Sequence, residues 1–337
     1  MALLSSCRER VRTTPYEMEY PSHFPAPEIP DDNPMTVESI RLGRHLFFDT
    51  RLSGDNTQSC ADCHLQENNF GDPNQFSTGI DGIQGPVNAM AIVNLAWGKF
   101  FFWDGRAASL ELQAVEPVVN PIEMHETWEN VIAKLEMDAK YENMFEAAYG
   151  KDAITKENSG KAMANFMRSM ISGNAKIDRY VEGSYSFTAE EQMGFDIYNT
   201  EEGDCFHCHG LATTGYQMGA FGVMQFSNNG LDSVLAVGSG REGVTENPTD
   251  RGKFKIPSLR NIEYSFPYMH DGRFATLSQV IEHYNEGGHY SATVDPNMKH
   301  IGIGHNWSVQ QKQALEAFLK TFTDLDYLTD TAYTDPW

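Results

Sequence analysis

The sequence predicts a mainly α-helical protein made of two similar domains with long loops, and three observations predict it. Apolar residues recur at helical spacing in several stretches, while strand-like alternation is sparse. A helix, a turn and a Cys-x-x-Cys-His unit follow one another twice, at Cys60-Ala61-Asp62-Cys63-His64 and at Cys205-Phe206-His207-Cys208-His209. The length of 337 residues fits two domains at roughly 100 to 200 residues each. A hydrophobic share of 40% suffices for packed cores and argues against disorder. With 25 basic and 47 acidic side chains the net charge is −22, which excludes a nucleic-acid binder held by phosphate contacts. No stretch approaches the ~18 consecutive apolar residues of a membrane span; the most apolar one, residues 89–102, is broken by Asn94, Gly98 and Lys99.

In chain order, residues 1–35 are expected to be a tether or export remnant. Prolines at 15, 21, 25, 27, 30 and 34 favour an extended chain. Leu4-Ser5-Ser6-Cys7 looks like a bacterial lipobox whose cysteine is lipidated, although no basic segment and no apolar run of about 7 to 15 residues precedes it. The alternative is an unpaired cysteine in a frayed terminus. The first domain is expected over 36–184, starting with a helix N-capped by Thr36 that runs through Ile40, Leu42 and Leu46 to Phe48. Turn residues Ser53-Gly54-Asp55-Asn56 end it, and the first Cys-x-x-Cys-His unit follows. Residues 65–105 are rich in Gly, Asn, Asp and Phe, the signature of a long loop wrapped over a ligand. Helical stripes resume with Trp128, Val131, Ile132 and Leu135, then with Ala162, Phe166 and Met170, closed by Gly173. The second domain is expected over 185–337. Thr188-Ala189-Glu190-Glu191 is a capping box for a helix carrying Met193, Ile197 and Tyr198 into the second unit, and residues 308–322 read as a last amphipathic helix.

A Cys-x-x-Cys-His unit names a cofactor by its spacing. Two thiols form thioether bonds to the vinyl groups of a haem, and the adjacent histidine is held beneath the iron as proximal ligand. Cys60, Cys63 and His64, and Cys205, Cys208 and His209, are the two candidate sets. A zinc site gathered from the four cysteines is the competing reading. A thioredoxin-like dithiol lacks its βαβ context. Covalent haem attachment implies export to a periplasm-like space.

With both units stand Phe102-Trp103-Asp104-Gly105-Arg106-Ala107, then Gln113 and Asn120-Pro121-Ile122-Glu123-Met124, and further on Phe254-Lys255-Ile256-Pro257-Ser258-Leu259-Arg260-Asn261 and Pro267-Tyr268-Met269-His270-Asp271-Gly272. In this order, over about residues 36–322, they resemble the bacterial dihaem cytochrome c peroxidases and their MauG-like relatives, which modify protein substrates. The resemblance implies two cytochrome c-like domains, each with one covalently attached c-type haem: a peroxidatic one over 36–184 and an electron-transfer one over 185–337. It assigns Glu123 as distal acid–base, Gln113 as the residue that holds peroxide or water beside the iron, and Trp103 as the indole between the haems. Without the flanking motif Glu123 reads as a surface acid and Trp103 as a core residue among Phe100, Phe101 and Phe102. His270 falls near the haem propionates. Asn88 with the carbonyls of Ser265 and Pro267 matches a calcium site, and oxygen ligands suit that hard cation.

Two departures from the ordinary peroxidases separate the branches. The loop Ser77-Thr78-Gly79-Ile80-Asp81-Gly82-Ile83-Gln84-Gly85-Pro86 contains no histidine, and Ile80 stands about where such peroxidases carry a distal ligand, so the first haem should be open to peroxide without prior reduction. The axial Met position of the second haem falls on Tyr284, as in MauG-like proteins, and a phenolate favours higher oxidation states where a thioether would raise the potential. Met269, Met298, Met218, Met224, His270 and His283 are competing ligands. No role is expected for His45, His125, His207, His289, His300 or His305.

The implied function is a periplasmic, H2O2-dependent oxidoreductase that oxidises a protein partner through a two-haem high-valent state. Alternatives are a peroxidase drawing electrons from a small cytochrome or cupredoxin, and a non-catalytic dihaem carrier. The acidic surface predicts a partner with a basic patch.

Overall fold

A computed structural model of the chain describes residues 12–210 and 226–337. Cys7, Met218 and Met224 lie outside the described residues. Short polar side chains start most helices by accepting hydrogen bonds from free backbone N–H groups of the first turn. In the first half these are α1 (Val37–Phe47, capped by Thr36), α2 (Leu110–Val119, Ser109), α3 (Trp128–Glu136, Thr127), α4 (Ala139–Tyr149, Asp138) and α5 (Lys156–Ser169, Thr155). Then come α6 (Lys176–Val181), α7 (Ala189–Tyr198), α8 (Cys205–His209) and α9 (Glu242–Thr245). α10 (Leu277–Asn285, Thr276), α11 (Val309–Leu319, Ser308) and α12 (Leu325–Thr329, Asp324) complete the set. The only ladder among the described residues is a two-residue antiparallel pair, β1 (Phe226–Ser227) and β2 (Phe254–Lys255). The capping box at Thr188 and Glu191 forms as expected.

The two halves are built on the same helix crossing. α1 packs along α5, and α7 along α11. A Cβ on Gly43 would lie 2.0 Å from the Ala162 carbonyl oxygen, and one on Gly194 would lie 2.0 Å from that of Ala314. Only glycine lets the backbones approach this closely. Phe166 and Phe318, each four residues past its alanine, meet the same glycines. Around the crossings lie two hydrophobic clusters, one with Leu42, Phe47, Phe70, Val131 and Phe166, the other with Ile197, Tyr198, Leu259, Ile281 and Phe318.

Core membership crosses the expected 184/185 division at both ends. Ala175 and Ile177 pack into the second cluster, while Tyr327, Leu328 and Tyr333 return to the first. The helix read as the last, 308–322, is therefore followed by α12, which carries the chain back. Residues 12–35 are docked as well: Phe24 is buried against Trp97, whose Nε1 donates to the Pro25 carbonyl at 2.8 Å. Beside the second cluster, buried Arg260 grips buried Asp178 with two hydrogen bonds. Burial alone would raise the Asp178 pKa, but the guanidinium overcomes it and holds the carboxyl well below its ordinary range. No helix among the described residues is long and apolar enough to cross a membrane.

Candidate active site

The first Cys-x-x-Cys-His unit is a short 3₁₀ turn, Cys60–Asp62, closed by the Asp62 carboxylate, which accepts from the Ser59 N–H at 2.6 Å. The turn brings the His64 N–H to the Cys60 carbonyl at 3.0 Å. Cys60, Cys63 and His64 line a cavity of about 540 Å³, within the size range of pockets that bury a small molecule. His64 Nδ1 donates to the Phe70 carbonyl at 2.7 Å, which leaves Nε2 as the lone-pair nitrogen. Left-handed backbone at Asn69 and Phe70 carries that carbonyl back to the ring. Burial pushes the Cys60 and Cys63 thiols up to about 12 and about 11 and pulls the His64 imidazole down. Thiols and imidazole are thus neutral at physiological pH. His64 is the only imidazole among the described residues lining this cavity.

Gln113 from α2 and Glu123 from the turn after it face the same space, and Asn120 Nδ2 donates to Glu123 Oε1 at 2.5 Å. Burial raises the Glu123 pKa, against the opposing pull of that hydrogen bond and of the Arg106 charge. The Gly-rich loop docks on this turn, with the Ile80 N–H donating to the Glu123 carbonyl at 3.0 Å. A Cβ at Gly79 would lie 2.3 Å from the Ile122 carbonyl oxygen. Ile80 is not among the described residues lining the cavity. Its Cδ1 packs over Gly54, and Thr78, Gly79 and Gly85 form the cavity wall instead.

The second unit forms α8, and Cys205, Cys208 and His209 line a neighbouring cavity of about 290 Å³ together with Tyr284, His270, Ser265 and Pro267. Burial pushes Cys205 up to about 12 and Cys208 up to about 11, and it pulls His209 down to about 4. His209 Nδ1 is buried without a formed hydrogen bond, although the Pro257 carbonyl lies close enough to act on the ring. Asn229 Nδ2 donates to the Tyr284 hydroxyl at 3.2 Å and to Met269 Sδ at 3.4 Å, so these two rival ligands share one amide. Burial pushes Tyr284 up to about 12, partly opposed by the Asn229 hydrogen bond. Met298 also lines the cavity. His283 is not among its described lining residues, and its Nε2 faces the Asn229 carbonyl at 3.1 Å. His270 stacks on Phe254 with 3.6 Å between ring centroids.

The two cavities share a wall. Trp103, Asn88, Phe101, Phe254 and Lys255 line both. Trp103 Nε1 donates to the Asn88 carbonyl at 2.9 Å, and the Asn88 N–H donates to the His270 carbonyl at 2.8 Å. Asn88 Nδ2 donates to the carbonyls of Asn74 and Gln75 at 3.0 and 3.2 Å, which orients Oδ1 as an available acceptor. Beside α8, Glu201, Asp204 and His207 gather around the Lys299 ammonium. Sequence reasoning missed Asn229 and the cavity-facing role of Lys255. The signal for Lys255 was present: a cation within the apolar run Phe254 to Ile256.

The residues fit a haem in each cavity. Each offers two neutral thiols and a neutral imidazole in one turn of chain, against walls that are mostly apolar, and a tetrahedral zinc site would need thiols from both cavities or thiolates that burial disfavours. A family model described as di-haem cytochrome c peroxidase matches residues 37–186. Methylamine utilization protein MauG of Methylorubrum extorquens is 34% identical over 294 residues, which cover 87% of this chain and 80% of that one. Cytochrome c551 peroxidase of Nitrosomonas europaea is 34% identical over 298 residues, covering 86% and 81%. A solved MauG-like protein associated with microbial copper homeostasis superimposes with a TM-score of 0.88 at 35% identity, covering 96% of this chain and 99% of that one.

Proposed function

Because the chain belongs to the di-haem cytochrome c peroxidase and MauG family and is therefore a di-haem oxidoreductase, we propose that it is a periplasmic MauG-like enzyme that uses hydrogen peroxide to oxidise a protein partner. The observation that carries this reading is the asymmetry of the cavities. The first has Glu123 and Gln113 and no imidazole besides His64 among its described lining residues, whereas the second has Tyr284 beside His209.

Cys60 and Cys63 would hold the first haem through thioethers with His64 as iron ligand; Cys205, Cys208 and His209 would hold the second, with Tyr284 as its other ligand and His270 near its propionates. A haem held there would supply peroxide binding and redox capacity. Glu123, as carboxylate, removes the proton from the peroxide oxygen that binds and returns it to the oxygen that leaves. The Gln113 amide, with no protein hydrogen bond among the described residues, orients peroxide beside Glu123. Trp103, in the common wall, passes electrons between the cavities. Asn88 Oδ1 with the carbonyls of Ser265 and Pro267 would hold calcium there. A side chain of the protein partner then returns the electrons.

The likeness to a cytochrome c551 peroxidase favours a second reading, reduction of peroxide to water with electrons from a small cytochrome or cupredoxin. A rapid-mixing experiment separates the two. Peroxide added to the fully oxidised holoprotein is expected to change its Soret spectrum within one turnover. A reaction that requires one-electron reduction beforehand would leave the cytochrome-coupled reading in place. A non-catalytic carrier would not react in either state.

A further inference from the structure

The wall between the cavities carries a positive charge for which the described residues supply no acid. Lys255, on β2, faces both cavities. Its backbone N–H donates to the Trp103 carbonyl at 2.8 Å, and Nζ donates to the Phe100 carbonyl at 3.3 Å, 5.9 Å from the Phe101 ring centroid. Burial pulls the ammonium down to about 8, with no carboxylate opposing that pull. Arg241 reaches the same loop: Nη1 donates to the carbonyls of Asp104 and Gly105 at 2.9 and 2.8 Å, and its guanidinium lies 4.5 Å from the Phe226 ring centroid. It too makes no ion pair with a carboxylate of the described residues.

The fully buried arginines differ in this respect. Arg260 is paired with Asp178, and Arg168 with Glu111 at 2.6 Å. In a chain with 47 acidic and 25 basic side chains, acids are not scarce. A half-buried cation left without one loses part of its hydration with no counter-charge to offset it.

We propose that Lys255, supported by Arg241, is a shared counter-charge for acidic groups carried by the occupants of both cavities, so that one ammonium acts on two centres at once. The inference rests on the di-haem reading, since each haem carries two propionate carboxylates. A nearby cation disfavours the more positively charged oxidised form of a centre. Lys255 therefore holds both reduction potentials up.

The test uses the full holoprotein and two readouts. Mass measurement of the denatured protein counts covalently held haems, and redox titration followed at two wavelengths gives both midpoint potentials. Lys255→Met is expected to retain two haems and to shift the reduction equilibrium of each centre at least threefold toward the oxidised form, roughly 30 mV at 59 mV per tenfold change. Lys255→Arg restores both. Two retained haems with only one potential moved, or neither, would overturn the shared role. A wild-type protein without two haems would overturn the di-haem reading itself, before Lys255 is tested. Should Lys255→Met fail to fold, Lys255→Gln keeps a donor for Phe100 and reads the same two potentials.

Discussion

Replacing Glu123 by Gln is expected to slow the reaction of peroxide with the oxidised holoprotein by about 10²-fold or more. The substitution keeps size and a polar end facing the cavity but removes the carboxylate that takes the proton, since an amide is not a base. The pH dependence gives a second signature. Burial lifts the Glu123 pKa above its ordinary value of 4.5, so the carboxylate form is lost as pH falls through that raised value, and the rate falls with it. In Glu123→Gln that limb disappears. Stopped-flow absorbance across a pH series measures both effects, and near-native rates with an unchanged acid limb would remove Glu123 from proton transfer.

The second large effect is expected at Tyr284. Exchange for Met should raise the potential of the second centre by at least about 100 mV, because a thioether favours the reduced iron and a phenolate the oxidised one. The neighbourhood makes the experiment sharp. Asn229 already hydrogen-bonds both Tyr284 and the sulfur of Met269, so a methionine side chain is chemically compatible with this corner. A potential that does not move would take Tyr284 out of the coordination sphere and bring Met269 forward as ligand.

Much of this was legible in the sequence, and the reasons differ from part to part. The Cys-x-x-Cys-His units are local in sequence, so their spacing alone predicts thiols and imidazole on one turn, as Cys60 to His64 and α8 show. The capping box at Thr188 was legible for the same reason. The pairing of α1 with α5 and of α7 with α11 was not, because it depends on contacts far apart in the chain. In retrospect Ala162 and Phe166 stand in the same i, i+4 relation as Ala314 and Phe318, opposite Gly43 and Gly194.

Helices α4 and α10 went unrecognised although Tyr141, Met144, Phe145 and Ala148, and Leu277 and Ile281, recur at helical spacing. The return of α12 to the first core left no local mark. That Ile80 packs over Gly54 and does not line the cavity could not be read locally: it follows from Gly79 letting the loop press its backbone onto Ile122 and Glu123. Lys255 and Asn229 were overlooked because their importance comes from what surrounds them, and enclosure is a property of the fold.

The proposed chemistry requires one centre to be open and the other closed. Electron paramagnetic resonance of the oxidised holoprotein, before and after cyanide, tests this directly. The expected spectrum has one high-spin and one low-spin ferric haem, and cyanide converts only the high-spin signal. Two low-spin signals that cyanide leaves unchanged would contradict the account.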